Sequence, residues 1–547
     1  MNINKKIIEK CNINDAVYCI NNVLLSDCDN IEINFEKDVY DIHSMYAYQE
    51  FCYISNNDFG VKNLIFPIIG KKNITINGNS SRLNGIGGIL PFYIKNSENI
   101  IIKNFTIDYA RPFFSQGEVM ESAENYVVIN MDKNLYPYEI VNGLVHFIGE
   151  EYESYFVHGL LEYEREERRP IPTSVDNFLK TSMKAEETQE GYLKLFFKWV
   201  LQPTVGNIIT IKHEKRFYPA IAIDKSENIK LENITIHHAG TMGVVAQFSK
   251  NIYIDKMDIS PEKSTERLMS INADATHFVN CTGEIIIENS KFESMLDDII
   301  NVHGNYFKVS KVIDNTHIIV EIPHFQQVGA YGIHDGAKLL ICNKETMLGV
   351  GYSYLKNTKV INNKFFELEL TQEFNFDENI EYCIDDTDTY PEVIFRNNIC
   401  GKNRARGLLL TGKNPILIEN NIIDTEGSAI KVNGDMHNWY ESTNITSIII
   451  RGNKIRRRNK GNWGIALIDI DPVMRTQVNG EFFHGDMLIE NNEIILDGTD
   501  LFYGYSFNSL TVKNNKIISL DKPINSDKDL TIKASNCGKV CVENNIY

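Results

Sequence analysis

The sequence predicts an all-β fold: a right-handed parallel β-helix, a solenoid, with inserted small β-barrel domains. Three observations support this prediction: a short strand phrase recurs along the chain, its spacing is regular, and two long stretches lack it. The phrase is a few β-branched residues that end at a polar asparagine, followed by another short apolar strand. Its closing asparagines are Asn104, Asn233, Asn289, Asn420, Asn491, Asn514 and Asn544.

The spacing of the phrase is that of one coil of a solenoid. Asn397 and Asn420 are 23 residues apart, and so are Asn491 and Asn514. One coil cannot bury its own apolar face, so successive coils must stack about 4.8 Å apart, with equivalent residues in ladders. We therefore expect the recurring asparagines to form an internal amide ladder at a turn, where asparagine tolerates left-handed backbone.

The ends and interruptions of the repeat predict the domain organisation. An amphipathic helix over Ile13–Leu25 is interpreted as the cap that stops further stacking. The two stretches without the phrase carry alternating strands and are interpreted as β insertions, and the charge run Glu162–Arg169 in the first of them predicts a solvated helical face. The predicted division is 1–114, N-terminal cap and first coils; 115–217, inserted β-barrel-like domain; 218–304, coils with the catalytic carboxylates; 305–390, second β insertion; and 391–547, C-terminal coils.

Composition excludes several classes of partner. Lys and Arg number 55 against 73 Asp and Glu, and the net charge of −18 disfavours nucleic acid or an anionic membrane. No run of about 20 apolar residues occurs, so no membrane span is expected. Ten scattered cysteines without a Cys-x-x-Cys pair predict free thiols. Because this chain lacks a signal peptide we expect a cytoplasmic protein, or a secreted one if the sequence is a trimmed mature form.

Three aspartates carry the most specific chemical signal. Asp274 and Asp297 are 23 residues apart, so we expect them to lie above one another on adjacent coils, about 5 Å apart, with Asp298 as a third carboxylate. Like charges at this distance raise at least one pKa. Hydrolysis of a glycosidic bond needs one protonated and one ionised carboxyl group. The alternative interpretation is a carboxylate ladder that holds a cation or water.

Polar residues in the neighbouring coils and in one long loop are candidates for substrate binding. Arginine and histidine donate hydrogen bonds to sugar hydroxyls, and an exposed tryptophan suits the apolar face of a galactose-type ring. The spacings of zinc-enzyme motifs are absent, so no metal is predicted. The candidates are His237, His238, His303, Arg404, Arg406, Trp439 and Glu441.

Five segments of the chain resemble glycoside hydrolase family 110, a family of exo-acting α-1,3-galactosidases that includes enzymes removing the terminal galactose of blood group B antigen. The resemblance covers nearly the whole chain and implies a parallel β-helix with β-barrel insertions. It also implies an α-galactosyl oligosaccharide or glycan substrate and an inverting mechanism without cofactor. The segments are Asp108–Val119, His237–Gln247, Ala273–Phe278, Asp297–Gly304 and Asn403–Gly407.

A similar stacked arrangement in β-helix polygalacturonases suggests the role of each carboxyl group. By that analogy Asp297 is the general acid, and Asp274 and Asp298 serve as base and water-holder. We expect the wider separation of inverting enzymes between acid and base, about 6.5–9.5 Å. The polygalacturonase signatures around these residues are absent, which disfavours a pectin substrate.

Other functions remain open at this point. A polygalacturonase-like hydrolase of an acidic polymer is disfavoured by the net charge. A calcium-dependent lyase would need a basic residue for proton abstraction and an acidic metal site, and a non-catalytic glycan-binding solenoid would bind without turnover. The sequence also leaves open whether B-type, linear α-1,3-galactosyl termini or both are accepted, and whether the chain forms a homodimer.

Overall fold

The computed structural model describes residues 4–8, 13–26, 28–171, 181–198, 201–213, 216–458 and 463–547. Its residues are 54% strand and 3% helix, which confirms the predicted all-β class. Of the helices it describes, none has the length and apolar character needed to span a membrane. The α-helix is Ile13–Leu25, as predicted, and the short 3-10 helices are Ser44–Tyr46, Phe325–Gln327 and Asp527–Asp529.

Most strands belong to successive coils whose equivalent strands pair in parallel, in three sheets. The first sheet contains Asn4–Ile8, Ile31–Phe35, Lys72–Ile86, Glu98–Tyr109, Glu227–Ile236, Lys250–Asp255, Thr282–Glu288, Glu392–Arg396, Ile416–Glu419, Ser447–Arg451, His484–Glu490, Phe502–Lys513 and Ile532–Glu543. Three long strands of the first sheet continue into the second: Lys72–Ile86, Glu98–Tyr109 and Glu227–Ile236. The second sheet also contains Val39–His43, Asp258–Ile259, Lys291–Glu293, Ile399–Gly401, Ile422–Thr425, Lys454–Arg457, Glu493–Leu496 and Lys516–Ser519.

The third sheet positions the site described below. It contains Phe59–Ile69, Leu90–Lys95, Ile221–Asp224, Val244–Gln247, Thr276–Val279, Ile300–Val312, Leu408–Leu410, Ile430–Val432 and Ile468–Ile470, and it ends on Phe502–Lys513 and Ile532–Glu543. Two further strands pair antiparallel at its edge, Tyr48–Tyr53 and Glu441–Ser442.

The core lies inside the coils and is built from ladders of equivalent apolar residues. In the first sheet Ile74, Ile100, Ile229, Ile252 and Ile285 lie in register on five successive coils, and all are buried. β-Branched side chains suit this position because they pack closely on a pleated surface. Burying each isoleucine contributes about 1.5–3 kcal/mol, so one ladder already holds the coils together firmly.

The asparagines form two kinds of feature. The phrase-closing Asn420 and Asn491 adopt the predicted left-handed backbone, with φ of 57° and 56°. The buried amide ladder, however, is formed by the residue after each of them. The Asn421 backbone N–H donates to Asn453 Oδ1 at 2.8 Å, and that of Asn453 to Asn492 Oδ1 at 2.9 Å. The left-handed residue turns the chain, so the next side chain is the one that points inward.

The first insertion has its own core. Seven strands form one antiparallel sheet: Phe114–Ala123, Tyr126–Asn130, Gly159–Glu164, Arg169–Pro170, Ala185–Gln189, Tyr192–Phe196 and Ile208–Lys212. Three strands form a second sheet: Tyr138–Val141, Leu144–Ile148 and Glu153–Ser154. Leu268, Met269 and Leu296 of the coils join the apolar core of this insertion. The insertion therefore packs directly on the chain segments that precede the three aspartates.

The charge run in this insertion is not the predicted solvated helix. Gly159–Glu164 is a strand, and Arg169, at the other end of the run, is buried. The Arg169 guanidinium donates to Glu426 Oε1 at 2.6 Å and to Asp424 Oδ2 at 2.9 Å. The prediction was wrong because the acidic partners lie about 250 residues further along the chain.

The second insertion is a closed ring of six antiparallel strands. Its strands are the outer part of Ile300–Val312, with His317–Glu321, Lys338–Asn343, Gly349–Val360, Phe365–Leu370 and Tyr382–Asp386. The ring leaves the third sheet one coil after Asp274, so its first residues border the same region as the three aspartates.

Candidate active site

A cleft of about 460 Å³ opens at the start of the third sheet, between the coils and the two insertions. Its walls contain carboxylates, basic groups, amides and two tryptophans, a mixture suited to a polyhydroxylated ligand. The lining residues are Asn56, His158, Lys212, Arg216, Asn272, Asp274, His277, Asp297, Asp298, Asn301, His324, Phe325, Gln326, Arg404, Arg406, Leu409, Asn433, Asp435, Trp439, Glu441 and Trp463.

The three aspartates do meet, but in a register that differs by one residue from the prediction. Thr276 pairs with Ile300, and the Ala275 backbone N–H donates to the Asp298 carbonyl at 2.9 Å. Asp298, rather than Asp297, therefore lies opposite Asp274. The offset between these two coils is 24 residues instead of 23, because this coil contains one more residue. Backbone hydrogen bonds between the coils, and not the average period, set the register.

Asp298 is held by an arginine from the next coil. Ile300 pairs with Leu408, which places Arg406 opposite Asp298. The Arg406 guanidinium donates to both oxygens of Asp298, Nε to Oδ1 at 2.9 Å and Nη2 to Oδ2 at 2.8 Å, and the Arg406 backbone N–H adds a third bond at 3.1 Å. Burial raises the pKa of Asp298, and the guanidinium opposes that rise.

Asp297 is the carboxyl group that faces the cleft. Its side chain is 23% exposed, whereas that of Asp298 is 1% exposed. Two guanidinium groups approach it without forming a close pair: Arg216 Nη2 lies 3.6 Å from Oδ2, and Arg406 Nη2 lies 3.9 Å from Oδ1. Asp297 is thus the aspartate of the three that a ligand in the cleft reaches first.

Asp274 lies beneath and faces an imidazole instead of a cation. Its Oδ2 is 2.5 Å from His277 Nδ1, and its Oδ1 accepts the Asp298 backbone N–H at 3.1 Å. Burial, together with the Asp297 charge, raises the pKa of Asp274. Behind it, His277 Nε2 is 3.0 Å from His303 Nε2.

Glu441 closes the row of polar groups and reaches the cleft. Its Oε1 accepts the Asn56 amide at 2.8 Å and lies 3.5 Å from His303 Nε2. Burial alone would raise the pKa of Glu441, but His303, His277 and the Asn56 amide together hold it below its usual range. Its strand, Glu441–Ser442, pairs with the residues that directly follow His303.

The candidate binding residues divide into three groups. Arg404, Arg406, Trp439 and Glu441 line the cleft, while His303 lies behind the lining residue His277. His237 and His238 do not line it. The His238 ring is buried against Phe113, accepts its backbone N–H at 2.9 Å and donates to the Ser270 carbonyl at 2.6 Å.

His237 faces a different charged group. Its Nε2 lies 3.4 Å from Glu262 Oε2, and its Nδ1 is 2.9 Å from the Ser260 carbonyl. Both histidines follow the strand Glu227–Ile236, and the contacts just given turn their rings away from the cleft, so the structure does not bring them to the predicted binding site.

Several lining residues were missed from the sequence. His277 lies inside the quoted segment Ala273–Phe278, three residues after Asp274, and that spacing was its signal. Arg216 and Trp463 stand in segments without any repeat. The Trp463 ring lies 4.6 Å from the Arg404 guanidinium and 5.5 Å from that of Arg406, close enough for cation–π attraction.

The three aspartates are also the place where a cation would be sought. Oxygens from Asp274, Asp297 and Asp298 lie within 4.8 Å of one another, and within the described residues this is the one such group of three potential ligands. Arg406 and Arg216 already supply positive charge at these oxygens. The 4.8 Å limit concerns the nearest oxygens of the three groups, so the separation of about 6.5–9.5 Å expected between the acid and the base stays a prediction.

Comparison with known proteins decides the family. The chain is 32% identical over 484 residues to "Alpha-1,3-galactosidase A" of Shewanella woodyi, covering 88% of this chain and 79% of that protein. The chain belongs to the α-1,3-galactosidase family. Residues 115–209 also match the GLAA-B beta-barrel domain I, which lies within the first insertion.

More distant family members cover similar parts of the chain. It is 29% identical to "Alpha-1,3-galactosidase B" of Bacteroides thetaiotaomicron, over 93% of this chain and 84% of that protein. It is 28% identical to "Alpha-1,3-galactosidase B" of Akkermansia muciniphila, over 90% of this chain and 62% of that longer protein. The resemblance inferred from the sequence is confirmed. As a member of the α-1,3-galactosidase family, the protein is a glycoside hydrolase.

Proposed function

We propose that this protein is an exo-acting α-1,3-galactosidase that removes terminal galactose from oligosaccharides or glycans with inversion at the anomeric carbon. The observation that carries the proposal is the division of labour among the aspartates. One carboxyl group, Asp297, faces the cleft, and two buried ones, Asp274 and Asp298, stand behind it. The family membership supplies the bond type.

Asp297 is assigned as the general acid. It is the most exposed of the three aspartates in the cleft, and a general acid must lie within hydrogen-bond reach of the leaving oxygen. Arg216 and Arg406 lie 3.6 and 3.9 Å from its oxygens, so they stabilise the carboxylate that remains after the proton has been given up.

Asp298 and Asp274 are assigned to the attacking water. Arg406 donates three hydrogen bonds to Asp298, and these bonds favour the ionised form of that carboxyl group. The carboxylate accepts a hydrogen bond from the water and so orients it. Asp274 is the base that takes the proton from that water. With side-chain exposures of 1% and 3%, neither group reaches a sugar carbon as a nucleophile. Attack by water, and hence inversion, is the favoured course.

The cleft supports recognition of a chain end rather than of a polymer. Its volume, about 460 Å³, is typical of a small-ligand site. Trp439 is 40% exposed and its ring lies 4.3 Å from the His324 ring, so its free face is available to a sugar. The guanidinium groups of Arg404 and Arg406 also line the cleft, 4.6 and 5.5 Å from the ring of Trp463.

The architecture proposed for the whole chain is the right-handed parallel β-helix expected from the sequence. Its support is the parallel pairing of successive coils, since parallel crossover connections are right-handed in nearly all proteins. We also propose the domain division at residues 115–217 and 305–390 for the two insertions.

One experiment tests the proposed activity. Purified protein is incubated with galactose-α-1,3-galactose, with the B trisaccharide, and with α-1,4 and α-1,6 isomers, and free galactose is measured. We expect release from α-1,3 linkages and little from the isomers. Equal or better turnover of an α-1,6 substrate would contradict the proposal. Proton NMR during early turnover should show β-galactose first; α-galactose first would mean retention.

The assignment of the acid is tested by the leaving group. Asp297→Asn should lower kcat/KM on galactose-α-1,3-galactose by about 10²–10⁴-fold, because general acid help is lost. An activated aryl α-galactoside needs little protonation and should lose much less. Asp298→Asn should depress both substrates together, because water must be positioned whatever departs. Selective rescue of Asp298→Asn in place of Asp297→Asn would show that the acid is misassigned.

A further inference from the structure

A row of buried titratable groups runs from the base of the cleft back to its wall. Asp274 Oδ2 lies 2.5 Å from His277 Nδ1, His277 Nε2 lies 3.0 Å from His303 Nε2, and His303 Nδ1 lies 2.7 Å from the Gly304 carbonyl oxygen. His303 Nε2 is also 3.5 Å from Glu441 Oε1. Both imidazoles are buried, and the proposed hydrolysis does not by itself require either of them.

These contacts fix the number of protons in the row. A carbonyl oxygen only accepts hydrogen bonds, so His303 Nδ1 carries a proton. The His277–His303 contact needs a second proton, and the Asp274–His277 contact a third. A carboxylate with two neutral imidazoles supplies only two protons for these three contacts. A row that is hydrogen-bonded at all three contacts therefore holds one extra proton, on Asp274, on His277 or on His303.

We infer that His277 and His303 relay a proton between the buried Asp274 carboxyl group and the wall of the cleft. The inference rests on the proposed hydrolytic function, in which Asp274 must be ionised to accept a proton from water. When the Asp274 O–H bond breaks, a bond to His277 Nδ1 forms. The His277 Nε2–H bond breaks at the same time, and a bond to His303 Nε2 forms.

The result of this transfer is a charged pair at the far end of the row. Asp274 becomes a carboxylate, His277 remains neutral, and His303 becomes an imidazolium beside the Glu441 carboxylate. Each turnover then adds one proton from water to Asp274, and one proton leaves from His303 through Glu441. The Glu441 side chain is 16% exposed and lines the cleft, so it is the contact of this row with solvent.

The surrounding charges favour this direction of transfer. Burial and the neighbouring His303 lower the pKa of His277 well below its usual value, so His277 passes the proton on and does not keep it. Glu441 places a carboxylate oxygen 3.5 Å from His303 Nε2, whereas Asp274 has two carboxylates close by. The charged groups facing the row are Asp297, Asp298, Arg216, Arg406 and Glu441.

The relay is tested through the pH dependence of kcat. In H303Q the glutamine amide accepts a hydrogen bond from His277 but cannot take up the proton, so Asp274 must lose it to solvent. Because burial raises the pKa of Asp274, the acidic limb of the kcat profile should move to higher pH. We expect a loss in kcat of about 10²-fold at the acidic end that shrinks as pH rises, with KM nearly unchanged.

A matched control separates the relay from simple damage to the fold. His484 is also buried, and its ring accepts the Ile445 backbone N–H at 3.3 Å, outside the cleft. H484Q should keep the wild-type profile. E441Q, which removes the anion beside His303, should shift the limb in the same direction as H303Q but less. An H303Q profile parallel to that of the wild type, or an unchanged kcat, overturns the relay.

A second measurement does not depend on hydrolysis. The short Asp274–His277 contact should produce a far-downfield proton resonance that is lost in D274N and shifted in H303Q, but kept in H484Q. Its absence from the wild-type spectrum overturns the relay. A wild-type protein that shows the resonance but releases no galactose would instead refute the proposed function and leave the proton row in place.

Discussion

Two aspartates, Asp108 and Asp274, are similarly buried, but different groups contact their carboxylates. Asp108 is 1% exposed, and Arg267 donates to its two oxygens at 2.8 and 2.5 Å. Arg82 adds a bond at 2.6 Å and the Tyr109 backbone N–H another at 2.8 Å. Burial by itself would raise the pKa of Asp108, but these donors lower it.

Asp274 is equally buried and has no such partners. An imidazole and one backbone N–H contact its oxygens, and its pKa is raised by burial and by the charge of Asp297. Similar burial is therefore compatible with opposite pKa shifts: the pKa of Asp108, which has two arginines at its oxygens, is lowered, whereas the pKa of Asp274 is raised. The arginines favour the ionised form of Asp108, whereas burial favours the protonated form of Asp274, whose proposed role as the base requires that it gain and lose a proton.

The largest expected effect comes from replacing Asp274. Asp274→Asn should lower kcat by about 10²–10⁴-fold on galactose-α-1,3-galactose, because the base for the attacking water is lost. The melting temperature should stay the same or rise, since a poorly compensated buried carboxyl group is removed. Steady-state kinetics and calorimetry on the same preparation check the loss of activity and the melting temperature. A large fall in melting temperature would contradict the proposed difference between Asp274 and Asp108.

The opposite outcome, a loss of stability with little change in activity, is expected when Asp108 is replaced. Asp108→Asn leaves the buried Arg267 without its carboxylate, and breaking a buried ion pair from one side costs about 3–5 kcal/mol. The free energy of unfolding in urea should fall by that amount. The kcat of the folded fraction should stay within about threefold of the wild type. A variant of wild-type stability would mean that Arg267 finds other acceptors.

Arg406→Lys tests the effect of the arginine on Asp298, because it weakens the hydrogen bonds donated to that carboxylate. Lysine cannot reproduce the bidentate contact, so the environment of Asp298 becomes more like that of Asp274. Burial already raises the pKa of Asp298, and losing the guanidinium raises it further. We expect kcat to fall about 10-fold at pH 7 and to recover partly at higher pH. A loss that is independent of pH would argue against this role of Arg406.

The smallest effect is a difference in the pH dependence of stability. A folded-state pKa above the unfolded value means that the native protein binds more protons, so Asp274 costs stability as pH rises above about 4. Asparagine does not titrate. The unfolding free energy of Asp274→Asn relative to the wild type should therefore increase by about 1 kcal/mol or more between pH 4 and pH 8. Urea titrations at several pH values measure it, and a constant difference would contradict the raised pKa.

Much of the repeat was readable from the sequence. The recurring β-branched phrase predicted coils whose isoleucines stack, and the helix Ile13–Leu25 was found where its apolar periodicity placed it. The ladder of buried amides was predicted one residue early, at Asn420 instead of Asn421. Side-chain direction at a left-handed turn depends on the backbone path, which the residue types alone do not specify.

The register of the aspartates was the second error of the same kind. A regular period of 23 residues aligned Asp274 with Asp297, but hydrogen bonds between neighbouring coils align it with Asp298. A turn absorbs one additional residue without interrupting the ladders on either side. Only the pairing of the strands, which is a property of two coils together, shows where that residue is placed.

The strands, the asparagine turns, the family and the three aspartates could all be inferred from the sequence, because each is encoded within short segments. The groups that surround each carboxyl group are known only from the folded chain. Arg406 stands 108 residues after Asp298, and Asn56 stands 385 residues before Glu441, yet each pair is in direct contact. A carboxyl group takes its pKa from the donors and charges within a few ångströms, and folding brings those together from distant parts of the chain.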